Sequence, residues 1–259
     1  MNPKKPTTRN MSHPDYYQQR LKEKISANRT KYKQRIEEIE RIYREERKWK
    51  DNAKLVEYNT IFRPLINESI ETLALSIHRR NGETLRIFED GVGKGIALME
   101  LVSNIRSKGI ICEASGTTLE YNKTFQSSNI KIIGKSTEEY MPTKKQHLII
   151  ANMGGLSYTL QTLKKDTFLK LCYSLEKGGV MLAAVSWYIP DGVAIDIRKD
   201  LGLDLKGERL FDSTATTLFG EAGNLSALQK ALEKRGFESK VMFDPKYMYG
   251  ILVYVKRLR

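Results

Sequence analysis

Two periods alternate along the middle of this chain. Apolar runs of strand length, such as Leu85-Arg86-Ile87-Phe88 and His147-Leu148-Ile149-Ile150-Ala151, are followed by stretches whose apolar residues recur at three and four positions. The pattern predicts strands near 85–89, 109–113, 130–134, 147–152 and 179–186. It predicts helices over 95–107, 117–126 and 165–176. Strands that alternate with helices imply a parallel sheet joined by right-handed crossovers.

The flanks read differently. From Pro14-Asp15, a dipeptide suited to a first helical turn, to about Lys50, Leu21, Ile25, Tyr32, Ile36, Ile39 and Tyr43 keep helical spacing on an otherwise charged background. This predicts one long helix, either packed on the remaining fold or on a second copy, or free to meet a polyanion. Residues 55–80 read as a helix pair broken at Pro64, closed by the turn signal Asn81-Gly82. Residues 187–225 yield no regular pattern; 226–235 read as a helix stopped by Gly236, and 238–243 and 248–256 as a closing pair of strands.

Composition narrows the class. With 259 residues, 40% of them hydrophobic, the chain can bury a core. No apolar run is long enough for a membrane span, and no apolar stretch follows the basic start, so a cytoplasmic protein is expected. Cys112 and Cys172 sit in apolar contexts and read as buried thiols. Three scattered histidines give no metal-ligand cluster. The net charge of +13 is uneven: residues 1–54 hold sixteen Lys/Arg against eight Asp/Glu. That surplus suggests an arm directed at something acidic, with nucleic acid as the candidate partner and a homodimer through the same helix as the other reading.

The most informative stretch is Glu89-Asp90-Gly91-Val92-Gly93-Lys94-Gly95. A predicted strand ends in an acid, three glycines follow at alternate positions, and a helix begins. Glycine allows a sharp turn and close approach by a ligand. The dinucleotide fingerprint requires a further glycine at the position of Ile96, and the P-loop requires Ser or Thr after Lys94, where Gly95 stands. Carboxylates at the loop entrance repel a pyrophosphate but suit a ligand with a cationic head. Ligands of parallel sheets bind at the carboxyl ends of strands. Glu89, Glu113, Ser136 and Asn152 all fall at such predicted ends, and Glu113 is placed to bind vicinal ribose hydroxyls.

In that order and spacing, the glycine loop, Glu113, the strand His147 to Asn152 and the unit Phe168 to Leu182 with Gly178-Gly179 resemble class I methyltransferases that use S-adenosylmethionine (SAM). The resemblance covers 85–185 and, more weakly, 226–257. It implies a Rossmann-like α/β fold, a mostly parallel seven-stranded sheet with its last strand antiparallel. It also implies SAM as cofactor, held by Glu89, Gly91, Gly93, Gly95, Glu113, Ala114, Ser136, Thr137 and Asn152. SAM carries an ammonium and a sulfonium, which matches the acidic loop. The first motif is most similar to that of rRNA adenine N6-dimethyltransferases, and the likeness continues at Gly134-Lys135-Ser136, where those enzymes carry Asp at the third position. They also carry Asn-x-Pro-aromatic where this chain has Asn152-Met153-Gly154-Gly155. His147 stands where the wider family carries Asp.

The expected organisation is a basic N-terminal segment, 1–54, and a SAM-binding domain, 55–259, with 187–225 inserted on the substrate side. Tyr58 or Arg63 could reach the cofactor from the preceding helix, although core packing is the simpler role for them. Asn152, Tyr158, Trp187 and Tyr188 are candidates for the acceptor side. No residue is assigned as a catalyst. The expected function is methyl transfer from SAM to an unidentified acceptor. The alternatives are a catalytically silent module that binds RNA or a protein, and a nicotinamide oxidoreductase, which the missing glycine disfavours.

Overall fold

The computed structural model describes residues 12–34, 36–37, 53–82, 84–118, 125–127, 130–152, 154–159, 161–186, 225–243 and 250–259. Its centre is an eight-stranded sheet. The strands are β1 (Leu85–Glu89), β2 (Cys112–Thr117), β3 (Phe125–Ser127), β4 (Ile130–Ile133), β5 (Gln146–Asn152), β6 (Leu175–Ser186), β7 (Phe237–Phe243) and β8 (Gly250–Arg257). Their order across the sheet is β3-β4-β2-β1-β5-β6-β8-β7. The strands β4, β2, β1, β5 and β6 pair in parallel, and β8 runs antiparallel to both its neighbours. The parallel strands are what the alternation predicts, and the whole is the Rossmann-like arrangement that the resemblance implies, with the short β3 added antiparallel at the edge.

Side chains alternate across the strands and build two cores. On one face α2 (Leu55–Ile66), α3 (Ile70–Asn81) and α4 (Ile96–Arg106) cover Leu85, Ile87, Leu148, Ile150 and Leu182. On the other, α5 (Gly155–Tyr158), α6 (Gln161–Tyr173) and α7 (Leu225–Glu233) lie with Phe88, Ile149, Ala151, Met181 and Val253. A further helix, α1 (His13–Ala27), packs on the outside of α6. Its start matches the sequence reading: the Ser12 hydroxyl accepts from the Asp15 N–H, and Pro14 occupies the first turn.

Four expectations are corrected. The N-terminal segment is not one helix: α1 stops at Asn28, and helix resumes at 29–34. Residues 38–52 of the expected long helix lie outside the described residues. Pro64 does not break α2, because it sits in the last turn; the chain turns at Asn67, with φ 55°. The helix expected over 117–126 is not formed at its ends, since Thr117 closes β2 and Phe125–Gln126 belong to β3. Finally, β2 runs from Cys112 to Thr117 rather than over 109–113. Gly109 turns the chain with φ 78°, and Ile111 is left 71% exposed. The apolar pair Ile110-Ile111 therefore leads into the strand instead of forming it. Residues 187–224, including Trp187 and Tyr188, and the Tyr158 side chain lie outside the described residues. Among those described, no helix is long and apolar enough to cross a membrane.

Candidate ligand site at the carboxyl ends of β1 and β5

The glycine loop has the strand-to-helix geometry its sequence implies. Gly91, Gly93 and Gly95 adopt φ of 75°, 52° and 74°, and Gly95 caps α4. The loop is held on both sides. The Val92 N–H donates to Thr117 O at 2.8 Å, and the Asp90 N–H donates to Ile150 O at 2.7 Å. Backbone packing beneath it is very close. A Cβ on Gly91 would stand 2.4 Å from the Gly154 Cα, and one on Gly154 would stand 2.0 Å from the Asp90 carbonyl oxygen. A Cβ on Gly155 would meet the Asp90 carboxylate at 2.4 Å. Gly154-Gly155 thus lets the loops after β1 and β5 touch, and the aromatic ring of the adenine-type motif has no room at that place.

Asp90 turns away from the loop entrance. Its carboxylate accepts from the Thr137 hydroxyl and, at 2.6 Å, from the Leu156 N–H. Burial raises its pKa, and the Thr137 hydrogen bond opposes this. Beside it the buried Lys170 ammonium donates to the carbonyls of Thr137, Glu138 and Tyr140. Burial pulls the Lys170 pKa down, and burial likewise pushes that of Glu138 up. This buried polar cluster ties the loop after β4 to α6 and underpins the glycine turn.

Glu89 faces the other way, towards α2. Its side chain is 1% exposed, and the Tyr58 hydroxyl donates to Oε1. The second oxygen, Oε2, is buried without a hydrogen-bond partner, and so is Oδ1 of Asn152 at the end of β5. An unpaired buried acceptor costs about 1–3 kcal/mol, and more when charged. Burial raises the Glu89 pKa to about 7, against the Tyr58 hydrogen bond; the Asp90 charge adds to the rise. Burial and the Glu89 charge push the Tyr58 phenol well up in turn. A cation with several N–H groups would satisfy both orphan acceptors and favour the ionised carboxylate.

The other sequence candidates divide. Gly91, Gly93 and Gly95 form the turn next to Glu89 and Asn152. Thr137 is fully buried and supports the loop from behind through Asp90 and Thr117. Ser136 is covered by the N-terminal segment, its hydroxyl 2.7 Å from that of Tyr32. Ala114 lies level with Ile87 and packs in the core. The expectation that Glu113 and Glu89 grip one ligand is not met. Glu113 pairs with Arg86, three residues before Glu89, which is about 10 Å down the strand. It projects from the opposite face and meets Lys144 at 3.2 Å near solvent. The β2 register explains the displacement: the carboxyl end is at Thr117, and 119–124, just beyond it, lie outside the described residues. Arg63 and Lys94 are exposed. His147 has a structural role, its Nδ1 accepting from the Arg86 N–H at 3.0 Å at the amino end of β5.

From the sequence Tyr58 could reach the cofactor, with core packing as the simpler role, and Gly154-Gly155 stood only as a departure from a motif. The available signals were a hydroxyl on the apolar face of α2 and a second pair of glycines directly after a strand.

No protein-family model and no curated protein matches the chain. Solved structures do. The plantazolicin methyltransferase BpumL, in complex with a monoazolic desmethylPZN analog and SAH, aligns with a TM-score of 0.51 at 12% identity, over 92% of this chain and 99% of that one. The N-methyltransferase NodS from Bradyrhizobium japonicum WM9, in complex with S-adenosyl-l-homocysteine, gives 0.42 at 12% identity, over 73% and 86%. The CMeT domain of the citrinin polyketide synthase gives 0.44 at 16% identity, over 68% of this chain and 47% of that one. At these identities the likeness is one of fold alone, shared with BpumL along nearly the whole of both chains.

Proposed function

We propose that this protein is a SAM-dependent methyltransferase whose cofactor lies over the glycine loop at the carboxyl ends of β1 and β5. The observation that carries this reading is the pair of buried, unpartnered acceptors, Glu89 Oε2 and Asn152 Oδ1, beside a turn with three positive-φ glycines. The chemistry of that donor-poor, acceptor-rich seat fits the ammonium of SAM. When bound, SAM supplies a methyl group on a sulfonium, already activated for in-line displacement. The chain's own work is then to bind, to orient and to exclude water. Glu89 and Asn152 hold the cationic head, and the glycine turn lets backbone approach the ligand without a Cβ in the way. Tyr58, 4% exposed on α2, closes one side against solvent. No side chain is assigned as a general base, and none is required unless the acceptor must lose its proton early.

The acceptor is left to experiment. The charge surplus of residues 1–54 supports an acidic one, nucleic acid first, while the close packing at Gly154-Gly155 speaks against a base stacked in the adenine-type manner. Calorimetry should show SAM and S-adenosylhomocysteine (SAH) binding that Glu89→Gln reduces at least tenfold; a wild-type protein that binds neither would remove the proposal. Labelled SAM offered with separate RNA, DNA, protein and small-molecule pools then identifies the acceptor. Binding without transfer to any pool would leave a binding module built on this fold.

A further inference from the structure

Tyr58 does more than fill the core. A phenol has one O–H to donate and lone pairs to accept. Here the donor goes to Glu89 Oε1. With Oε1 engaged, the Glu89 carboxylate is fixed in rotation and Oε2 is the oxygen left over. Asn152 Oδ1, at the end of β5, is a second buried acceptor without a partner. The residues come from three separate elements, α2, β1 and β5, so no local sequence rule forces the arrangement.

We propose that Tyr58 is a positioning residue of the ligand site: its hydroxyl, bonded to Glu89 Oε1, holds the free Oε2 toward the same ligand ammonium that Asn152 Oδ1 meets. This rests on the SAM reading above and adds a regulatory property to it. The Tyr58 bond favours the ionised carboxylate, whereas burial and the neighbouring Asp90 favour the protonated one. Tyr58 and Asp90 are the ionisable groups that act on Glu89, and the Glu57 charge acts on Tyr58 in turn. A protonated Glu89 offers an ammonium no charge. Ligand affinity therefore weakens as pH falls through the Glu89 midpoint, and Tyr58 sets where that happens.

Tyr58→Phe tests this, because it keeps the ring and removes only the hydroxyl. The Glu89 carboxyl is followed by carbon-detected NMR titration of the ligand-free protein, with Glu89→Gln to assign its signal. The wild-type midpoint is expected near 7, and the Tyr58→Phe midpoint about one unit higher. SAH calorimetry across the same range should show the affinity curve displaced by the same amount. At pH 7 binding by Tyr58→Phe should be about fivefold weaker, recovering above the new midpoint. A purely structural role would instead lower the melting temperature or weaken binding equally at every pH. Asn152→Ala is the second variant: it should weaken SAH binding while leaving the Glu89 titration in place. If wild type binds SAH and the titrations of wild type and Tyr58→Phe coincide, the Tyr58 proposal fails alone. If wild type binds neither SAM nor SAH, the cofactor reading fails and takes this one with it.

Discussion

Glu89 illustrates how a ligand site is held at the expense of stability. Its ordinary pKa is 4.5, and in the fold it rises to about 7. Folding therefore favours the proton. That contribution is fully present below pH 4.5 and is lost as pH rises through 7, leaving a buried carboxylate with one unsatisfied oxygen. The difference of about 2.5 units corresponds to roughly 3 kcal/mol against the ligand-free fold above neutrality. Glu89→Gln, which retains size and removes the charge, is expected to melt several degrees above wild type at alkaline pH and to coincide with it near pH 5. Thermal unfolding of both proteins across this range checks the sign; a variant less stable than wild type at high pH would mean the carboxylate is already compensated. At this scale the sequence disclosed the acid and the glycines, because an acid ending an apolar run before a glycine turn is a local pattern. It did not disclose the free Glu89 oxygen, because that depends on Tyr58, which reaches Glu89 from 31 residues earlier in the chain.

Among the elements, β1, β5 and the 180–186 part of β6 were legible because apolar residues fill them; β6 begins at Leu175, ahead of Gly178-Gly179, where the sequence predicts the end of a helix. The strand β2 was misplaced for a physical reason. Its carboxyl half, Ala114-Ser115-Gly116-Thr117, is made of small residues, since Val92 of the glycine loop folds over it. A Cβ on Gly116 would lie 2.1 Å from Val92 Cγ1. Tertiary packing thus removed the apolar signal where the strand lies, while Ile110-Ile111 supplied one where it does not. A displacement of a few residues moved Glu113 from the ligand end of the sheet to its other end and changed its face. The consequence is measurable. Glu113→Ala should leave SAH affinity unchanged and alter stability by no more than about 1 kcal/mol, the range of exposed ion pairs such as the one with Lys144. A tenfold loss of SAH affinity in this variant would restore the original reading of β2.

Across the molecule, the N-terminal segment joins the fold instead of standing clear of it. Leu21 is fully buried against Leu163 and Tyr32, His13 and Tyr17 stack with Tyr173, and the Gln18 side chain donates to the carbonyl of Glu138. Some of its positive charge is used internally: Lys24 and Arg20 lie 2.7 and 3.4 Å from the buried carboxylate of Asp166. Heptad-like spacing revealed an apolar stripe, but spacing alone does not say whether a stripe meets α6 or a second copy. The contacts of α1 converge on α6 and on the loop after β4, the same loop whose Thr137 supports Asp90. Helix α1 meets the α6-side core through the half-buried Tyr17, while its fully buried Leu21 belongs to a small separate cluster, so it should open as a local unit before the sheet unfolds. Leu21→Ala removes the largest apolar anchor and is expected to cost about 2–5 kcal/mol. Hydrogen exchange should register that loss in the amides of α1 and of 29–34, with protection in β1, β5 and β6 retained. Equal loss of protection throughout would show instead that α1 unfolds only with the whole sheet, and that the site loop and the N-terminal helix form one cooperative unit.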